Sequence, residues 1–224
     1  MRKRNIVVAI LVFAITFVSC KSDSSLVAAD SSQSIDKQLM EDAIRNLPTS
    51  DLSDGEKEGI IFMREEEKLA RDVYLHFYEK YGMRIFSNIA NAESTHMYAL
   101  KVLLDKYNLE DPILNDEIGA FLNEKLDGLY TQLTEAGDVS LVEALKVGLT
   151  IEDLDIYDLM EFTHDVASED IIMVYDNLTR GSRNHIRAFY RQTTQNSGTY
   201  KAQFITNELF DSILDSPHER GRGW

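Results

Sequence analysis

Four long stretches of helical periodicity, joined by one short, one long and one short connection, constrain this chain more than any other feature. The first runs from Ser53 to about Tyr81, the second from about Ile85 to Tyr107, the third from Ser140 to about His164, the fourth from Ser168 to about Gln192. Ser53 with Glu56, and Ser140 with Glu143, have the spacing of a capping box; Gly82 is placed to stop the first helix, and Ser168 to cap the fourth. Short connections make antiparallel neighbours of the helices they join, whereas a link of about thirty residues (108–139) requires a crossover. That link is broken by Pro112, Gly119, Gly128 and Gly137, with room for a short helix near 121–135. Short helices are also expected over about 36–46 and 206–214, and no strand alternation competes. The expected fold is all-α: a four-helix bundle with a long helix 2–3 crossover and a C-terminal short helix.

Composition narrows the partners. Acidic residues outnumber basic ones 38 to 23, for a net charge of −15. A field of that sign repels phosphate backbones, which argues against nucleic acid, and it suits cations. The single cysteine excludes an intramolecular disulfide and any multi-cysteine zinc site.

That cysteine sits at an informative place. Arg2, Lys3 and Arg4 precede a charge-free, mostly apolar run from Ile6 to Val18. The run is short of the roughly 20 residues a membrane span needs, and it reads as a secretory leader. It ends in Phe17-Val18-Ser19-Cys20, which resembles a bacterial lipoprotein signal, with Phe17 where Leu is usual. The expected organisation is a lipoprotein signal peptide over 1–19, a flexible Ser/Asp-rich tether over 20–36, a helical domain over 37–215 and a tail over 216–224. Cys20 would be lipidated, which places the domain at the bacterial cell envelope, membrane-anchored and facing the periplasm or the cell surface.

Each long helix carries an ionisable group inside its apolar stripe, where residues three, four and seven apart share a face. Glu67 shares its face with Ile60, Met63, Ala70 and Tyr74. Glu93 shares its face with Phe86, Ile89, His96, Met97 and Leu100, and Glu152 with Leu145, Leu149, Asp155, Ile156 and Leu159. His185 shares its face with Leu178, Ser182, Ala188 and Phe189. An unpaired buried carboxylate costs on the order of several kcal/mol. Four helices with the same defect suggest a common solution, a cation held by carboxylate and imidazole. Glu93 and His96, three residues apart, can reach one metal in a bundle core. Glu161 and His164 have the same spacing, but Tyr157, Asp158 and Asp165 on that face read as solvated, and Asp215 with His218 reads as tail. Glu66 competes with Glu67, because its face holds Phe62, Leu69, Ala70 and Val73. Tyr74, Tyr78 and Tyr81 read as core-edge residues or as supports behind the ligands, His76 as a surface or boundary residue, and Arg64, Arg71, Arg180, Arg183 and Arg187 as partners of bundle acids or as further supports of the site.

The strings MREEEKLARDVY (63–74), IFSNIANAESTH (85–96), LDIYDL (154–159) and RGSRNHIRAFYRQ (180–192) resemble the family called domain of unknown function 2202. Glu67-x-x-Ala70-Arg71-x-x-Tyr74, followed by Glu93-x-x-His96, resembles the rubrerythrin branch of the ferritin-like superfamily. The likeness spans about residues 40–214. It implies a ferritin-like bundle with a carboxylate-bridged metal pair, usually iron, with manganese or zinc as alternatives. It also implies a non-haem di-iron oxidoreductase that reacts with oxygen or peroxide. Carried over by position, Glu67 is the first-helix ligand, Glu93 the bridge with His96 its partner, Glu152 with Asp155 the third-helix ligands, and His185 the fourth-helix imidazole. Ser182 stands where that superfamily places a glutamate three residues before the histidine, which removes one bridging carboxylate. The competing expectation is therefore a non-catalytic envelope lipoprotein, used for binding or structure, with a degenerate metal site.

Overall fold

A computed structural model describes residues 36–220; the leader, Cys20 and nearly all of the tether lie outside the described residues. The described chain is all helix and loop. Helix α1 spans 36–46. It is followed by α2 (Asp54–Tyr81), α3 (Arg84–Lys106), α4 (Glu124–Gly137), α5 (Leu141–Thr163), α6 (Glu169–Gln195) and α7 (Asn207–Asp215). None of these helices is long and apolar enough to cross a membrane.

The ends form where local chemistry places them. Ser53 accepts from the Glu56 backbone N–H at 3.2 Å while the Glu56 carboxylate accepts from the Ser53 N–H at 2.8 Å, closing both halves of a capping box. Gly82 stops α2 at φ +63°, a conformation that costs glycine nothing. Ser140 caps α5 by accepting from the Glu143 N–H. Ser168 is a correction: its hydroxyl does not cap α6 but bonds to Glu56 Oε1 at 2.8 Å, and Glu56 also takes the N–H groups of Ala167 and Ser168. One carboxylate thus ties the start of α2 to the start of α6. Helix α6 also runs to Gln195, three residues past its expected end.

Helices α2 and α3 pack as one pair and α5 and α6 as another; α2 touches α5 and α3 touches α6, so the four close a bundle. The crossover between α3 and α5 carries α4, which packs on α2 and α5. Two apolar layers fill the bundle. One contains Leu69, Val73, Phe77, Phe86, Ile89, Leu145, Leu149, Ile186 and Phe189. The other contains Ile60, Met63, Leu100, Leu103, Leu159, Ile171, Val174 and Leu178. On every long helix the residues between the two layers are the charged ones identified above.

Helix α2 is buried far beyond one face. Arg64, Glu65, Glu66, Glu67 and Lys68 are five consecutive charged residues, each 7% exposed or less. The crossover covers what would be their solvent side and supplies partners to Arg64, Glu65 and Lys68. Glu65 accepts from the Leu122 and Asn123 N–H groups at the start of α4, and Lys68 donates to the Glu117 carbonyl at 2.7 Å and to Asp72. Asp72 also accepts from the Gly119 N–H, and Arg71 bridges Asp72 and Asp116. Arg64 forks onto Asp111 and donates to the Met97 carbonyl. The expected pairing with bundle acids holds for Arg71, which meets Asp72 of α2 as well as Asp116, and is corrected for the others: Arg64 holds Asp111 of the crossover, Arg183 and Arg187 hold Glu219 beyond α7, and Arg180 donates to the Asn177 side chain. The segment after Asp215 is docked on α6 at least to Glu219.

Lys68 and Asp72 are both fully buried, so they give a direct stability test. Asp72→Ala leaves the Lys68 ammonium without its counter-charge and is expected to cost about 3–5 kcal/mol in chemical denaturation. Replacing both by apolar residues of similar volume should recover most of that loss. Equal stability of wild type and Asp72→Ala would show that the pair does not hold the crossover to α2.

Candidate metal centre

Five of the six residues expected at the site come together between the two apolar layers, in two groups that share one member. Glu67, Glu93 and His96 offer ligand atoms all within 4.8 Å of one another, and so do Glu93, Glu152 and His185. Glu93 serves both groups through different oxygens. Its Oε2 lies 2.7 Å from His96 Nδ1, and its Oε1 lies 3.0 Å from His185 Nδ1. Glu67 Oε2 approaches His96 Nδ1 at 3.1 Å, and Glu152 Oε2 approaches His185 Nδ1 at 3.2 Å. The rings face each other with centroids 5.9 Å apart. Each half therefore has a terminal carboxylate, an imidazole Nδ1 and one oxygen of the shared Glu93.

Each Nδ1 can point a single proton, or a single lone pair, in one direction, yet each faces two carboxylate oxygens. Glu67 Oε1 and Glu93 Oε1 are buried and accept no hydrogen bond, despite the short approach of Glu93 Oε1 to His185. A cation between the three atoms of each half would satisfy all of them. Carboxylate oxygen with imidazole nitrogen is a donor set for iron, manganese or zinc. The residues present therefore fit a metal pair.

In the metal-free state the charges partly neutralise one another. Burial disfavours the His96 and His185 cations, but Glu67 and Glu93 lift His96 well above the usual imidazole range, and Glu93 and Glu152 lift His185 to about 10. Burial pushes Glu93 up, and the two imidazolium groups pull it down further, leaving it ionised. Burial holds Glu67 and Glu152 above the usual carboxylate range, even though each is favoured by its own histidine.

Asp155, the sixth expected residue, belongs to neither group but stands beside them. It is 6% exposed and accepts a short hydrogen bond from the Ser182 hydroxyl. Burial, with Glu152 close by, raises Asp155 to about 7. The place where a fourth-helix glutamate was expected is thus occupied by a serine that holds an aspartate arriving from α5. Glu66, the alternative to Glu67, is placed differently. Its buried oxygens accept from no N–H or hydroxyl, its carboxyl meets that of Asp158, it lies outside both groups, and burial with Asp155 and Asp158 nearby raises it strongly. Glu161 with His164 lies away from the site; His164 is exposed and pairs with Asp165.

The Tyr74 hydroxyl donates to Glu152 Oε1 at 2.5 Å, so this fully buried tyrosine supports the terminal carboxylate of one half, the second of the two roles that its place on the stripe of Glu67 allowed. One feature was not legible in the sequence. Gly181 leaves room for His96: a β-carbon there would fall 2.5 Å from His96 Cε1 and 2.6 Å from Nε2.

A family model described as an uncharacterized protein domain (DUF2202) matches residues 56–217, which is most of the chain and includes every residue of both groups. The chain belongs to this family. The uncharacterized protein MJ0754 of Methanocaldococcus jannaschii is 54% identical over 178 residues, covering 80% of this chain and 96% of that one. The crystal structure of hypothetical protein MJ0754 from Methanococcus jannaschii superposes with a TM-score of 0.77 at 53% identity, covering 78% of this chain and 99% of the other. The DUF2202 match begins inside α2, so Cys20 and the leader lie outside it.

Proposed function

We propose that this DUF2202 protein is a ferritin-like metal-binding protein with a carboxylate-bridged pair of divalent metals, iron in the first instance, and a non-haem oxidoreductase centre. The observation that carries the reading is the double use of Glu93, whose two oxygens face two separate imidazole–carboxylate groups. Glu67 and His96 would hold one metal, Glu152 and His185 the other, with Glu93 between them. Bound iron would supply one-electron redox chemistry toward oxygen or peroxide at its open positions. The chain's own contribution is to keep the site dry between two apolar layers, to fix Glu152 through Tyr74, and to hold Asp155 through Ser182 where a further carboxylate can reach the centre.

The test is metal content of protein purified without a histidine tag and reconstituted with iron, manganese or zinc. Two metals per chain, with a thermal stabilisation that grows with metal concentration, is the expected result. A second reading, a non-catalytic binding or structural protein, is favoured by the partial self-neutralisation of the metal-free cluster by His96 and His185. A chain that takes up none of the three metals selects it.

Placement at the cell envelope by lipidation of Cys20 belongs to the same proposal. It rests on the basic start, the apolar run and the unique cysteine. Mass spectrometry of the mature N-terminus reads it, and an unmodified Cys20 removes it.

A further inference from the structure

Both histidines have a second nitrogen that the metal reading does not use. With Nδ1 turned toward the carboxylates, His96 and His185 also line a groove of about 570 Å³ between α3, α6 and the segment after α7. The rings are 8% and 9% exposed, and neither Nε2 has a hydrogen-bond partner among the described residues. Each Nε2 carries a hydrogen whether the ring is an imidazolium or a neutral imidazole ligating through Nδ1. Two N–H donors therefore face the groove in either state. Thr95, Arg180 and Arg191 line the same groove. Arg180 donates to the side-chain oxygen of Asn177 and has no carboxylate partner among the described residues. The one carboxylate on the wall, Glu219, is already held by Arg183 and Arg187, which moderates its repulsion of an anion. In a chain of net charge −15, a donor-lined groove with an arginine lacking an acid partner is a local reversal of sign.

We propose that this groove binds a small oxyanion, hydrogen-bonded to the outer nitrogens of His96 and His185 and paired with Arg180, and that anion and metal strengthen one another's binding. The coupling rests on the metal reading above; the anion site itself does not. An anion on Nε2–H would make the imidazole a better ligand at Nδ1, and a metal held at Nδ1 would make the groove more positive. Linkage requires the two effects to be equal in free energy.

Titration calorimetry with sulfate tests it, on the metal-free and the zinc-loaded chain, with acetate as a planar competitor. One sulfate per chain is expected, bound about fivefold or more tightly when zinc is present. Arg180→Gln should weaken sulfate at least about tenfold with metal content unchanged, and Arg180→Lys should recover part of the loss. Acetate binding more tightly than sulfate would support the site and assign it to carboxylates rather than tetrahedral anions. A chain that holds metal yet shows no saturable binding of either anion overturns the proposal and leaves the metal reading standing. Equal sulfate affinity in wild type and Arg180→Gln also overturns it. Sulfate binding by a chain that takes up no metal upholds the anion site, overturns the coupling and removes the metal reading.

Discussion

Glu93→Gln is expected to empty both metal positions at once, whereas Glu67→Gln or Glu152→Gln should empty only one. The difference follows from connectivity. Of the two histidines, Glu67 meets only His96 and Glu152 only His185, but Glu93 places one oxygen on each. The amide keeps the shape, removes the negative charge and replaces one ligating oxygen with an NH2 group, which has no lone pair for a cation. Metal analysis after reconstitution should therefore fall from two per chain to near zero for Glu93→Gln and to about one for each terminal variant. The metal-free Glu93→Gln chain also loses the charge that faces both imidazolium groups, at a cost of about 3–5 kcal/mol, so its fold must be checked by circular dichroism at the same pH. A folded Glu93→Gln protein that still holds two metals would show that Glu93 is not the bridge.

What the sequence revealed is what local phase encodes. The four long helices, the crossover and the Ser53–Glu56 box follow from spacing within one segment, and so does the presence of Glu67, Glu93, His96, Glu152 and His185 on apolar stripes. What stayed hidden is what a second segment decides. Arg64 to Lys68 are five consecutive charged residues, of which a helix normally buries one face, yet all five are buried because the crossover lies over the other side. Glu66 and Glu67 could not be separated by periodicity, since both faces are apolar; only the approach of α3 brings His96 to Glu67. Ser168 has the right residue type for a cap, but Glu56 from α2 claims its hydroxyl. Ser182 read as a loss because a single helix shows only its own residues. Across the bundle it is the partner of Asp155, so a carboxylate remains at that level, contributed from α5 instead of α6.

Metal affinity should rise steeply with pH between about 6 and 9, and the metal-free fold should weaken over the same range. In the metal-free chain His96 is held well above its ordinary value and His185 at about 10, so both rings are protonated at neutral pH. Ligation through Nδ1 requires both histidine protons to leave. Two or more protons released per chain raise apparent affinity for the pair by about 100-fold or more per pH unit. For stability the sign is opposite. A histidine whose folded value is raised contributes fully below its unfolded value of about 6.5, and that contribution disappears as pH climbs through the folded value, about 10 for His185. Asp155, raised to about 7, acts in the same direction, because the folded state retains a proton that the unfolded state has lost. Glu93 is depressed and works in reverse, but its contribution is lost only in acid, below the usual carboxylate range. The melting temperature of the metal-free chain should therefore fall from pH 6 to 9 while that of the metal-loaded chain holds, so the gap between them widens. Calorimetry in buffers of different ionisation enthalpy counts the protons directly. A count near zero at pH 7 would mean that the histidines are already neutral before metal arrives, and that the carboxylates do not hold them charged.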